Sequence, residues 1–147
     1  MTFLENKKAR FDYEIMDKYE TGIELLGLEV KSIRAKHGKI EGSFIVNSGN
    51  EVFLLGADIP AYQPKNAPSD FDSARSRRIL ISKREAREIF SNKTKGLTVI
   101  PLSVYNKGRK IKIEIAVCRS KKKHDKRESI KKRETDREIR RTLKTQK

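Results

Sequence analysis

Between Lys110 and Val117 the chain reads KIKIEIAV. Ile111, Ile113, Ile115 and Val117 fall on one side, while Lys110, Lys112 and Glu114 fall on the other. A period of two marks a strand with one buried and one solvated face, and it excludes a helix there. The preceding "GLTVIPLSV" is a second apolar run, joined to the first through Asn106-Lys107-Gly108, so the two form a hairpin. One hairpin cannot bury its own apolar face, so further strands must lie beside it.

Those strands are legible upstream. "GSFIVNSGNEVFLLGADI" reads as a hairpin turning at Asn47-Ser48-Gly49-Asn50. "SRRILIS" is a short strand, and "GIELLGL" from Gly22 to Leu28 mixes alternation with a buried run, as a strand does. Two segments carry helical spacing instead. Leu26, Val30 and Ile33 stand at i, i+4 and i+7, and Gly38 stops that helix. "SKREAREIFSNKTKG" opens with a capping box of Ser82 and Glu85, turns Ala86, Ile89 and Phe90 inward, and ends at Gly96. Five or six short strands with two helices predict a mainly β fold with short helices: an antiparallel barrel, closed or nearly so, of the OB-fold type. Closure solves the edge-strand problem, and the OB-fold is the commonest such barrel that binds nucleic acid. The Pro- and Ser-rich segment 59–76 is a long loop, and long loops in compact domains are often binding loops.

The last fifth of the chain cannot join that core. From Arg119 to Lys147 there are 14 Lys or Arg, 5 Asp or Glu, and only three aliphatic residues, Ile130, Ile139 and Leu143. So little apolar surface does not offset the ordering entropy. The chain therefore divides into a body, residues 1–118 including a short N-terminal arm, and a basic tail, residues 119–147. The tail holds +9 of the net +15 charge. A balance of that size attracts polyanions, in a manner that falls with salt.

Sites for chemistry are scarce. His37 and His124 are the only histidines and lie far apart, and Cys118 is the only cysteine. No metal spacing, glycine-rich phosphate loop or nucleophile elbow is present, so no metal or cofactor is called for. Glu20, Glu24 and Glu29 read as solvated surface acids rather than catalysts. Cys118 reads as a buried structural thiol, and one cysteine fits a reducing cytosol. The N-terminus has no signal-peptide core, and the apolar runs are too short to span a bilayer. A binding module is the stronger class and an enzyme the weaker.

The bases of the body admit two readings. Lys7, Lys8 and Arg10 are a solvated arm or a set of phosphate contacts. Arg75, Arg77 and Arg78 enter a strand, where three positive charges are costly without an anion nearby. Most aromatics of so small a domain belong to the core, with Tyr62 and Phe71, and less so Phe11 and Tyr13, as minority candidates for base stacking.

The tail has more order than a plain polybasic run. Glu128 and Lys132, and Asp136 and Arg140, stand at i, i+4 in the favourable order, and Thr135 and Glu138 make a second possible capping box. Such a segment is disordered alone and forms a helix once a polyanion neutralises it. A nonspecific basic tail has the same charge, but the run "HDKRE" has the look of a site.

"NKKARFDY" at 6–13, "GLEVKSIRA" at 27–35, "FLLGADI" at 53–59, "RSRRILISKRE" at 75–85 and "KKKHDKRESIKKRE" at 121–134 occur in that order. Over almost its whole length the chain thus resembles the small protein B family, the protein partners of transfer-messenger RNA in bacterial trans-translation. The resemblance implies an OB-type barrel that holds the tRNA-like part of that RNA at its elbow. It implies a tail, disordered when free and helical on the ribosome, that occupies the decoding centre and the empty messenger channel of a stalled small subunit. It implies RNA-binding roles for Asn6, Glu20 and Leu80, beside the basic Lys7, Lys8, Arg10, Arg75, Arg77 and Arg78. The decoding-centre set is Lys121, Lys122, His124, Asp125, Lys126 and Arg127, with the histidine stacking on a base and the cations reaching phosphates. A cytoplasmic protein, monomeric when free and with no membrane partner, is implied with it. Ser120 stands where the family usually has glycine, and "QPKNAPSDFD" replaces the family's usual loop sequence. A basic OB-type ribosomal protein and a nonspecific single-strand binder share the charge and fold, and a nuclease is the remotest alternative.

Overall fold

The computed structural model describes residues 1–91 and 96–121. Seven strands, β1 (Thr2–Glu5), β2 (Tyr13–Ile23), β3 (Phe44–Ser48), β4 (Glu51–Leu55), β5 (Arg77–Leu80), β6 (Thr98–Lys107) and β7 (Lys110–Ser120), form one antiparallel sheet. Their spatial order is β1-β6-β7-β2-β5-β4-β3. The edge strand β3 returns to pack against β6, which rolls the sheet into the expected barrel. Three helices decorate it: α1 (Ala9–Asp12), α2 (Gly27–Arg34) and α3 (Lys83–Ile89).

Both hairpins form. The first turns at Gly49-Asn50, since Ser48 pairs with Glu51; the second at Gly108-Arg109, since Lys107 pairs with Lys110. Gly49 and Gly108 take φ of +64° and +63°, which a side chain would oppose. At α3 the hydroxyl of Ser82 accepts the Glu85 N–H at 3.1 Å, as the capping box requires. The Glu85 carboxylate meets the Ser82 hydroxyl rather than its N–H, and the helix ends at Ile89, well short of Gly96.

The strand expected over Gly22–Leu28 is displaced. The real strand, β2, runs from Tyr13 to Ile23, and Gly27 opens α2 with Leu26 as its exposed N-cap. β2 carries a β-bulge between Ile15 and Asp17. Before it, Tyr13 and Ile15 face Ala9, Ile100, Leu102, Ala116 and Cys118; after it, Tyr19 and Ile23 face the main core. One extra residue reverses the faces, so the odd-numbered side chains keep one period in sequence but pass from the outer cluster to the main core.

The main core is rich in isoleucine: Ile33, Ile40, Ile59, Ile89, Ile113 and Ile115 are all buried inside the barrel. The register then fixes what lies outside. Leu80 of β5 pairs with Gly22 of β2, Gly22 with Lys112 of β7, and Lys112 with Tyr105 of β6. The next row is Glu20, Glu114 and Ser103. At one end this outer face is covered by α1 through the second apolar cluster; at the other, none of the described elements covers it. Ser120 is the last residue of β7 and pairs with Tyr13, in ordinary extended backbone that has no need of glycine. The strand thus passes the expected body boundary at residue 118 by two residues.

Candidate nucleic-acid interface

Two concavities adjoin the outer face, the first reaching past it to core-packed Ile23, Leu25 and Ile111. One, of about 400 Å³, is lined by Gly22, Ile23, Leu25, Val30, Leu80 and Ile111, with Arg34, Arg109, Lys110 and Lys112 around it. Its floor is apolar and its rim is basic. Leu80 lies 49% exposed at the edge of the floor, an unusual place for a leucine unless something covers it. Arg34 is held by the Phe3 ring at 5.9 Å and by a hydrogen bond to the Arg109 carbonyl at 3.3 Å. The second concavity, of about 140 Å³, is lined by Glu5, Asn6, Lys7, Arg10, Leu102, Ser103 and Glu114.

The two belong to one surface, because Lys112 of the first and Glu114 of the second are outward neighbours on β7. Asn6, Lys7, Arg10, Glu20 and Leu80, which lie far apart in sequence, therefore share one face of the sheet. Lys8 is exposed at the start of α1, and Arg78 is half-exposed on the same side of β5 as Leu80, 4.0 Å from Glu24. Asn6 itself is nearly buried. Its side-chain amide donates to the Pro101 carbonyl at 2.9 Å and its backbone N–H to the Leu102 carbonyl at 2.8 Å. It fixes the arm to the bulge in β6, and Lys7 and Arg10 project from that fixed point.

Glu20 sits between the concavities. Its carboxylate accepts from the Tyr105 hydroxyl and from Lys107 Nζ at 2.7 Å. The Lys107 bond, and then the Tyr105 bond, hold its pKa below the ordinary carboxylate value. Burial, followed by the bond to Glu20, pushes the Tyr105 phenol well above its ordinary value. Tyr105 and Lys107 were invisible as site residues in the sequence. Lys110, Lys112 and Glu114 were legible as the outward side of a strand, but nothing local ties them to Leu80.

One expected contact is corrected. Arg77 is not at the surface: its side chain is fully buried, and the anion that accommodates it is Glu29, expected to be solvated and instead also fully buried. Arg77 Nε donates to Glu29 Oε2 at 2.9 Å, and its other donors reach the carbonyls of Ala57, Ser73 and Arg75 at 2.8–3.0 Å. Arg75, partly exposed, donates Nε to the same carboxylate at 3.0 Å. This pair fastens the segment 57–75 to α2, with Arg77 and Glu29 out of reach of solvent. Burial opposes ionisation of Glu29, but the bonds from Arg75, the Leu26 N–H and Arg77 outweigh it and lower its pKa.

The aromatics divide as well. Phe11, Tyr13 and Phe71 are partly buried, while Tyr62 is 41% exposed in the long loop, its N–H bonded to the Leu28 carbonyl. Cys118 is buried, as expected, and burial pushes its thiol up to about 11. Among the described residues, no group of His, Cys, Asp and Glu could hold a metal ion, and no helix is long and apolar enough to cross a membrane. Of the tail set only Lys121 is described; its N–H bonds the Asp12 carbonyl at 2.9 Å. Lys122, His124, Asp125, Lys126 and Arg127 lie outside the described residues.

A family described as SmpB protein matches residues 3–145. An SsrA-binding protein of Mesomycoplasma hyopneumoniae (strain 232) is 45% identical over 142 residues, covering 96% of this chain and 95% of the relative. One from Thermosipho melanesiensis is 47% identical over 142 residues, covering 95% of each. Among solved structures, a chain from "tmRNA-SmpB: a journey to the center of the bacterial ribosome" aligns with a TM-score of 0.67 and 37% identity, over 86% of this chain and 93% of that one.

Proposed function

The chain belongs to the SmpB protein family, and we propose that it is an RNA-binding adaptor, not an enzyme, which binds transfer-messenger RNA and brings it to the ribosome. The observation that carries this reading is the single outer face on which Leu80, Glu20 and the Asn6 turn come together, with an apolar floor and a rim of Arg34, Arg109, Lys110 and Lys112. Such a face suits a folded RNA better than an extended strand. The cations take phosphates, the apolar floor takes a base or ribose that leaves the stack, and Glu20 accepts from a donor. A nonspecific single-strand binder would place a series of stacking aromatics along its groove. Here, among the described residues, no aromatic lines the concavity beside Leu80.

The finer reading follows from the same division of the chain. The face holds the tRNA-like part of transfer-messenger RNA, and the basic tail leaves from the end of β7 to act in the decoding centre and empty messenger channel of a stalled ribosome in the cytoplasm. His124 stacks on a base there, and Lys121, Lys122, Lys126 and Arg127 meet phosphates, with Asp125 part of the same motif.

Separation of the two activities tests this. Changing Asp125, Lys126 and Arg127 together to Ala is expected to leave binding of transfer-messenger RNA nearly intact and to stop peptide tagging on stalled ribosomes. Tagging at the normal rate by that variant would remove the decoding role from the tail.

A further inference from the structure

Glu20 is an acid on a basic face, and its setting is unfavourable to it. Its direct cross-strand neighbour on β7 is Glu114, and like charges placed opposite each other repel. Left to itself, the carboxylate would turn toward solvent. Two side chains from β6, one strand beyond, prevent this: Tyr105 and Lys107 reach over β7, and each takes one carboxylate oxygen. An ionised carboxylate oxygen accepts about two hydrogen bonds. One acceptor position therefore stays open on each, in a group that Lys107 has partly neutralised and that Lys112 further favours.

A carboxylate repels phosphate and can only accept, so its target on RNA is a donor. Beside lysines that take phosphates, the donor at ribose spacing is the 2′-hydroxyl, the group that tells RNA from DNA. We propose that Tyr105 and Lys107 are positioning residues that hold Glu20 over β7 to accept from a ribose 2′-hydroxyl. The face thereby selects RNA over DNA of the same sequence. The proposal rests on the reading above that this face binds the tRNA-like part of transfer-messenger RNA.

The experiment measures binding of the full chain to the transcribed tRNA-like part and to the same sequence made as DNA. Wild type is expected to prefer the RNA. Tyr105→Phe and Lys107→Met are each expected to weaken RNA binding about three- to tenfold, the size of one ordinary hydrogen bond, with little change for DNA. Lys107→Arg is expected to retain most of the preference. In a Glu20→Gln background Tyr105→Phe is expected to add nothing, because the group it positions is already gone. Equal weakening toward RNA and DNA, or the same loss in both backgrounds, would overturn the positioning role. Unchanged RNA binding by Leu80→Ala, a residue of the same face with no contact to Glu20, would instead overturn the reading of the face itself.

Discussion

Arg77 Nε lies 2.9 Å from Glu29 Oε2 inside the barrel wall, and neither side chain is exposed to solvent. Glu29 is the anion that makes burial of Arg77 tolerable, and Arg75 shares its carboxylate. Taking Glu29 away leaves Arg77 buried and unpaired, whereas replacing both with apolar or neutral groups of similar volume does not. Glu29→Gln is therefore expected to cost about 3–5 kcal/mol in denaturant unfolding. The double change Glu29→Gln with Arg77→Met is expected to recover part of that loss. A double variant less stable than the single would show that the pair contributes more than mutual compensation.

Acid should find the same pair. The folded-state pKa of Glu29 lies below its ordinary value of 4.5. A depressed carboxylate contributes stability that is complete above the ordinary value and lost as pH falls through the folded one. Melting temperature followed downward from pH 7 is expected to hold until about pH 4.5 and then to fall. The fall should be shallower in the double variant, which has no carboxylate at position 29 to protonate.

Leu80 and Gly22 make a second close relationship. A Cβ built on Gly22 would stand 3.1 Å from the Leu80 Cβ, so Gly22→Ala must push the leucine aside. Leu80 is exposed, and the shift has room to occur outward. RNA affinity is expected to fall on the order of tenfold for Leu80→Ala, the loss of one apolar side chain from an interface. A smaller loss is expected for Gly22→Ala, with thermal stability nearly unchanged in both. Loss of melting temperature in step with affinity would mean that the two residues act through the fold.

The basic rim predicts a salt signature. Each phosphate contact adds about 0.7–0.9 to the slope of log affinity against log salt. Lys110→Gln and Lys112→Gln together are expected to lower that slope by about 1.5 in titrations with transfer-messenger RNA. An unchanged slope would place the phosphates elsewhere on the protein.

How much of this the sequence discloses depends on distance along the chain. The alternation at Ile111, Ile113, Ile115 and Val117 and the glycine turns are local, and they read correctly as hairpins. β2 alternates through its odd positions, but the bulge at Ile15–Asp17 changes which face they meet, and the strand is expected from sequence over Gly22–Leu28 instead. Arg77 and Glu29 misled for a different reason: a charge in sequence reads as surface, and only the fold shows that two charges 48 residues apart satisfy each other. The outer face is the most distributed feature. Leu80, Gly22, Lys112 and Tyr105 form one row across four strands, and no window of sequence contains more than two of them. Leu80 and Glu20 entered by resemblance; Tyr105 and Lys107, which hold Glu20, had no sequence signal at all.

The most direct test is binding of the purified full chain to transfer-messenger RNA in competition with tRNA and with ribosomal RNA fragments, at two salt concentrations. Recognition of a folded RNA by the outer face predicts a preference for transfer-messenger RNA that survives the higher salt. If the three RNAs compete equally and all dissociate together as salt rises, net charge alone accounts for the binding, and the proposed adaptor role is contradicted.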